Sequence, residues 1–199
     1  MKRIVLTIAL VAMSCAAFAQ NFGVKVGGNL STWNGVDNSK SILGCYIGGV
    51  VDLGLPVANL GLRIEPAYSM QGCGTEVTAA KITTKTRTVS DCINVPVMLE
   101  YKLLGGDLAL MAGPQAGFCL GMSGKTTIGD ADPKDFDIDK DAYKALDFGV
   151  VLGATYMLTG NVGIDLRYNL GLSDITPEDA IFDTNYKNRV LSLGVSFMF

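Results

Sequence analysis

Strict alternation of side-chain character is the feature of this chain that most restricts its fold. In residues 162–168, VGIDLRY, the even positions are apolar and the odd positions hold Gly163, Asp165 and Arg167. Residues 22–27 and 62–69 divide in the same way, with glycine, serine or charge on one phase. Because successive strand residues point to opposite faces of a sheet, each segment would have one apolar face and one face of glycine and polar groups. The pattern predicts an all-β protein.

About eight segments of this kind follow one another, an even number that suits a closed barrel. They lie at 22–32, 42–54, 59–71, 91–103, 108–121, 146–158, 162–173 and 189–199. Short connections at 55–59, 104–107 and 159–161 alternate with long ones at 33–41, 72–90, 122–145 and 173–188. Short turns at one end and long loops at the other are typical of outer-membrane barrels. No amphipathic helix and no linker interrupts the series, so we expect one barrel domain at 20–199.

Two kinds of barrel share this alternation, because a soluble barrel points its apolar face inward and a membrane barrel points it outward. Only 18% of the residues are charged and 49% are hydrophobic, whereas charged residues make up about a quarter of a typical soluble domain. The polar phase is largely glycine, with few charges, and these have both signs, so that they can neutralise one another in a narrow lumen. We therefore predict a closed antiparallel up-and-down transmembrane β-barrel. The expected lumen ion network consists of Lys25, Arg63, Glu65, Glu100, Asp165 and Arg167.

The start of the chain predicts export. Lys2 and Arg3 precede an apolar stretch at 4–13, and the small-x-small site at 17–19 predicts a signal peptide at 1–19 that is cleaved before Gln20. A lipoprotein would instead use Cys15, but the residues before it fit that signal poorly. The apolar stretch is too short to be a membrane anchor. Loss of two of the 16 basic residues leaves 14 against 19 acidic ones, and a net charge near −5 argues against a nucleic-acid partner.

The chain closes on an apolar strand, RVLSLGVSFMF at 189–199, with Phe197 and Phe199 on its apolar phase. This ending resembles the signal that the barrel-assembly machinery reads in outer-membrane proteins. An ordinary edge strand is the alternative, but closure against the first strand removes an edge that would invite aggregation. We expect cell outer-membrane lipid and the assembly machinery as partners.

Four cysteines follow the predicted cleavage site: Cys45, Cys73, Cys92 and Cys119. An even number in an exported protein suggests disulfides. If residues 105–106 form a two-residue turn, paired residue numbers sum to 211, and Cys92 faces Cys119. A Cys73–Cys92 bridge and free thiols remain alternatives.

Catalytic and metal-binding patterns are weak. The sequence contains no histidine, the usual general base of barrel hydrolases, and the inward carboxylates lie beside arginines as in a structural network. We therefore expect no enzyme, no catalytic residue and no cofactor. The acidic segment 129–141 alternates aspartates that could bind Ca²⁺, but Lys140 and Leu146 stand where an EF-hand needs Gly and Glu, so a solvated loop without metal is favoured.

Several stretches together resemble the PorT-like outer-membrane β-barrel family of Bacteroidetes. They are GVKVGGNLS (23–31), LRIEPAYSMQG (62–72), INVPVMLEYKL (93–103), MAGPQAGF (111–118), LDFGVVLGATY (146–156) and the terminal strand. The resemblance implies a small eight-stranded barrel. It leaves two roles open: a structural or loop-mediated binding role, with a protein partner at the long extracellular loops, and a component of a protein export or transport system. A barrel enzyme comes third.

Overall fold

The computed structural model describes residues 21–35, 39–79, 82–129, 131–138, 145–173 and 187–199. Within these ranges the chain is almost entirely β-strand. The strands are β1 (Asn21–Asn34), β2 (Ser39–Lys40), β3 (Ile42–Gly54), β4 (Leu60–Ile64), β5 (Ala67–Ala79), β6 (Ile82–Leu103), β7 (Leu108–Ile128), β8 (Lys134–Ile138), β9 (Leu146–Met157), β10 (Val162–Gly171) and β11 (Lys187–Met198). No helix in the described ranges is long and apolar enough to cross a membrane.

The strands close into an antiparallel barrel with eight wall positions. Each wall strand pairs with its neighbour along the chain, and β1 closes the ring by pairing with β11 from Gly23–Met198 to Asn34–Lys187. β4 and β5 together make one wall strand, interrupted at Glu65 and Pro66. The interruption stays bonded to both neighbours, because Gly49 N donates to Pro66 O at 2.9 Å and Glu65 N donates to Pro96 O at 3.2 Å. The fold class and the strand number predicted from the sequence are confirmed.

The barrel is apolar outside and polar inside. Val24, Ile47 and Leu193 point outward with exposed fractions of 51%, 62% and 58%. Glu65 and Asp165 point inward and are 0% exposed. A protein surrounded by water would pay heavily for buried charge and would bury its large apolar side chains instead. The arrangement fits a barrel whose outer surface meets lipid.

Three strands run further than the sequence predicts. The segment 72–90, expected to be a loop, is mostly a hairpin of β5 and β6, and β7 continues to Ile128. Threonines support these extensions by cross-strand bonds, Thr78 to Thr83 at 3.0 Å and Thr86 to Thr126 at 3.2 Å, in keeping with the β-propensity of branched side chains. β8 adds to the edge of β7, within the segment expected to be a solvated loop. We call residues 72–79, 82–90, 121–128 and 134–138 the outer sheet.

The tight connections lie at the opposite end of the barrel. Between β6 and β7 the chain makes a 3₁₀ turn at Leu104–Gly106 rather than a two-residue turn. Gly105 and Gly106 adopt φ values of 72° and 111° there, a region that favours glycine. The paired numbers nevertheless sum to 211, from Leu103–Leu108 through Cys92–Cys119. By the usual orientation of outer-membrane barrels, this end faces the periplasm and the outer sheet faces the exterior.

Candidate functional site: an ion network across the lumen

The lumen network has two layers, and the layer nearer the outer sheet, which we call the outer layer, is built around Glu65. Lys25 Nζ lies 2.5 Å from Glu65 Oε2, and Arg167 Nε donates to the same oxygen at 3.2 Å. Arg167 Nη2 donates both to Glu65 Oε1 and, at 2.9 Å, to Asp165 Oδ1. All four side chains are buried, although they come from strands far apart in the sequence. They reach one another because β1, β10 and the interruption between β4 and β5 that holds Glu65 all face the same narrow lumen.

The layer nearer the periplasmic end, which we call the inner layer, is built around Arg63. Its guanidinium group donates two hydrogen bonds to Asp52, from Nε to Oδ1 at 2.5 Å and from Nη2 to Oδ2 at 2.8 Å. Nη2 also lies 3.1 Å from Glu100 Oε1. Thr155 joins the layers, because its hydroxyl accepts from Arg63 Nη1 at 3.1 Å and donates to Asp165 Oδ1 at 2.6 Å. The two layers therefore form one continuous network.

The network is close to electrically neutral. Three buried cations, Lys25, Arg63 and Arg167, face four buried carboxylates, Asp52, Glu65, Glu100 and Asp165. Lys102 Nζ lies 3.7 Å from Glu100 and is 38% exposed, so it supplies the fourth positive charge from the periplasmic edge. The six lumen residues expected from the sequence all lie in this network. Asp52 was missed, although it occupies the inward phase of β3 together with Tyr46 and Val50.

Two glycines leave the space that the lumen side chains fill. A Cβ on Gly153 would lie 2.7 Å from Arg167 Nη1, and one on Gly194 would meet the hydroxyl group of Tyr46. Lys25 Nζ lies 5.2 Å from the centre of the Tyr46 ring, within the range of a cation–π contact. The glycine-rich polar phase of the sequence therefore has a packing purpose, since it lets long side chains cross the lumen.

The network separates two small spaces. On the outer side, a cavity of about 30 Å³ is lined by Lys25, Tyr46, Glu65 and Arg167, among others. This is room for about two water molecules. On the periplasmic side, a vestibule of about 180 Å³ is lined by Asp52, Arg63, Glu100 and Lys102, among others. The layers of the network form the partition between the two spaces.

A disulfide joins Cys92 of β6 to Cys119 of β7, with Cα atoms 4.0 Å apart. It lies where the register shifts, so that Asp91 pairs with Gly121. Cys73 is buried and Cys45 is exposed, and both are free thiols. The alternative Cys73–Cys92 bridge is not formed.

The terminal aromatics lie on the outer surface at the closing seam. Phe199 N donates to Phe22 O at 2.8 Å. The ring of Phe199 lies 5.2 Å from that of Phe22 and 5.1 Å from that of Phe197, measured between centroids. These contacts join the last residues of β11 to the start of β1.

Metal-binding clusters are not found among the residues that the structure describes. In the acidic segment, Asp135 pairs with Lys125 at 3.2 Å. Asp139 and Asp141 lie outside the described residues.

Comparison with known proteins agrees with this architecture. A family model described as "Outer membrane protein beta-barrel domain" matches residues 18–177. The solved structure of Ail from Yersinia pestis, in complex with the heparin analogue sucrose octasulfate, has a TM-score of 0.50 at 14% identity, covering 90% of this chain and 98% of Ail. Neisserial surface protein A has a TM-score of 0.49 at 14% identity, covering 89% and 97%. At 14% identity the likeness to Ail bears on the fold alone. No curated protein sequence matches the chain significantly.

Proposed function

Because this chain belongs to the outer membrane protein beta-barrel domain family, we propose that it is a plugged outer-membrane barrel that displays the outer sheet to a protein partner. The observation that carries the proposal is the neutral ion network, which crosses the lumen in two bonded layers. An eight-stranded barrel has an interior just wide enough to be filled by side chains. The barrel would therefore act as a membrane anchor for a rigid exterior surface and not as a diffusion pore.

The energetics of the network favour a permanent plug. Removing one partner from a buried, hydrogen-bonded ion cluster leaves charge without compensation, at a cost of about 3–5 kcal/mol. Opening a passage would require at least Arg167 or Arg63 to leave its carboxylates, and each holds two or more of them. Thermal fluctuation alone would open such a passage only rarely.

Planar-bilayer recording of the purified monomer tests the plug. We expect no steady conductance from the wild-type protein under conditions where a known porin conducts. Large, stable channels from the folded monomer would refute the plug and would favour a transport role.

The binding role is supported by the outer sheet, in which strands continue past the barrel wall. Bonded strands hold their surface more rigidly than free loops do, so less conformational entropy is lost when a partner binds. A variant lacking residues 76–85 shortens the β5–β6 hairpin and leaves the lumen unchanged. Proximity labelling on intact cells should lose specific partners with this variant and keep them with an Asn161→Ser variant at the opposite end. Identical labelling for the two variants would contradict a role of the outer sheet.

Export is the second candidate, supported by the resemblance to the PorT-like family of Bacteroidetes. The test is secretion of cargo proteins by a strain that lacks the gene. A specific loss of secretion would favour the export role. Normal secretion would contradict it, and the binding role would be the remaining candidate. No catalytic role is proposed, since histidine is absent from the sequence and the buried carboxylates lie in ion pairs.

Delivery to the membrane would use the signal peptide at 1–19 and the terminal aromatics Phe197 and Phe199. N-terminal sequencing of the mature protein tests the first: a start at Gln20 supports it, and an intact Met1 contradicts it. The barrel-assembly machinery is the partner proposed for the terminal aromatics.

A further inference from the structure

The outward face of β6 crosses the boundary between lipid chains and the exterior. From Tyr101 to Ile93 its odd positions are apolar, and the next odd position is Asp91. The hydroxyl group of Tyr68, itself on the outward face, donates to Asp91 Oδ1 at 2.7 Å. Tyrosines with a hydrogen-bonded hydroxyl are typical of the membrane interface. We therefore place the outer edge of the apolar band at the Tyr68–Asp91 pair.

Basic side chains follow on the same face immediately beyond this edge. Alternation from Asp91 puts Val89, Arg87 and Lys85 on the outward face, and Lys125 is paired directly with Arg87 across the strands. Like charges directly opposite one another destabilise a strand pair, and Asp135, which pairs with Lys125, offsets one of these two charges. A surface hollow of about 440 Å³ is lined by Arg87, Lys125 and Asp135, among others. Two cations and one carboxylate leave one positive charge there, and the hollow has space for an anionic group.

The contacts of Arg87 show where its guanidinium group lies relative to the membrane. Its Nη2 donates to the backbone oxygen of Leu43 at 3.0 Å. Leu43 is 68% exposed and is the outermost apolar residue on the outward face of β3. The guanidinium therefore lies at the rim of the apolar band, where lipid headgroups begin. A guanidinium has five N–H donors, and this bond uses one of them.

Nearby carboxylates are engaged by other groups. Asp135 pairs with Lys125, and Glu76 accepts a hydrogen bond from Lys40, which holds the pKa of Glu76 below its usual range. Asp91 accepts from Tyr68. Arg87 forms no ion pair with a carboxylate in the described part of the chain. Lys85 lies directly across the strands from Glu76, which it shares with Lys40, so that one carboxylate faces two cations. Arg87 and the excess positive charge beside Glu76 therefore remain available to an external anion.

We propose that Arg87, with Lys85 and Lys125 beside it, binds the phosphate group of a lipid in the surrounding outer leaflet. Guanidinium groups bind phosphate through paired hydrogen bonds, and lysines add point charges. The occupant is a lipid and not a soluble anion because the cluster continues the lipid-facing surface at headgroup height. This inference goes beyond the proposed function, since it requires neither a plugged lumen nor a protein partner.

Native mass spectrometry of the folded, detergent-solubilised barrel tests the site. The probes are bisphosphorylated lipid A and the same lipid after removal of its phosphates. The wild-type protein should bind the phosphorylated form more tightly. A basic residue near an anionic lipid surface contributes enough that Arg87→Gln or Lys85→Gln should weaken this binding about fivefold, and the double variant about 25-fold.

The matched control is Lys134→Gln, which removes one positive charge from the same outer sheet. Lys134 pairs with Thr126, one position from the Lys125–Asp135 pair, and so lies on the opposite face. Its lipid binding should stay at the wild-type level, and Arg87→Lys should keep most of it. If Arg87→Gln fails to fold, as judged by heat-modifiable gel migration, Lys85→Gln alone carries the test.

Three results would overturn the proposal: equal binding of the phosphorylated and dephosphorylated lipid, equal loss in Lys134→Gln and Lys85→Gln, or displacement of the lipid by inorganic phosphate at equal concentration. The last would assign the site to a free anion.

Discussion

Substitution of Arg167 by alanine tests whether the lumen network stabilises the barrel. The guanidinium bonds Glu65 through two nitrogens and Asp165 through one. At an effective dielectric constant of about 20, unit charges about 3 Å apart attract by about 5 kcal/mol before desolvation is counted. Without Arg167, Glu65 keeps Lys25, but Asp165 keeps only the hydroxyl of Thr155. We expect the free energy of unfolding to fall by about 3–5 kcal/mol.

Urea unfolding of the barrel in lipid vesicles measures this change. The chain has one tryptophan, Trp33 in β1, so its fluorescence reports on a single known position. The control is Lys85→Ala, which removes an exposed cation and should change stability by less than about 1 kcal/mol. A double variant, Arg167→Ala with Asp165→Asn, should cost less than the sum of the two single variants, because the orphaned carboxylate is also removed. Equal unfolding midpoints for Arg167→Ala and Lys85→Ala would refute the reasoning.

Three further predictions concern other parts of the chain. Deletion of Phe199 should slow assembly without changing the outer sheet, as measured by the rate at which the heat-modifiable form appears; an unchanged rate would argue against its role at the seam. Maleimide labelling of the unfolded, unreduced mature protein should find two thiols, those of Cys45 and Cys73, and labelling after reduction should find four. Because the disulfide spans 27 residues, its reduction should also lower the free energy of unfolding by about 3–4 kcal/mol. Because Lys40 lowers the pKa of Glu76, Lys40→Gln should move the NMR titration of that carboxyl group to higher pH, and an unmoved titration would contradict the pair.

Much of the barrel could be predicted because a strand period of two is visible in the sequence. The phase that carries Lys25, Arg63 and Asp165 distinguishes the lumen from the lipid side without any structure. The predicted register around residues 104–107 depended only on adding residue numbers, and this arithmetic also identified the pair that forms the disulfide. The alternation depends only on neighbouring residues, and the register depends only on the position of one turn. Both can therefore be predicted from the sequence.

The predicted strand ends were wrong where the amino-acid composition is typical of a loop. Residues 72–90 are rich in threonine, glycine and charge, and no apolar alternation marks them, because the outer sheet lies beyond the hydrocarbon chains of the lipid. Pairing between β5 and β6, continued from the barrel below, extends the strands there. Asp52 was missed for another reason. The predicted strand at 42–54 includes Asp52, but Tyr46 and Val50 on the same inward phase of β3 carry no charge, so no run of charge marked this phase as part of the ion network.

Cys92 and Asp91 are neighbours on β6 that face the lumen and the outer surface of the barrel, respectively. Cys92 points inward and is joined to Cys119, whereas Asp91 points outward and accepts from Tyr68. The register shift between them falls where the strands leave the barrel and enter the outer sheet. A bulge increases local twist and bend, so we expect the sheet to bend at this point. The disulfide on the inner face joins β6 to β7, and the Tyr68–Asp91 bond on the outer face joins β5 to β6, next to the basic groups that we propose bind lipid phosphate.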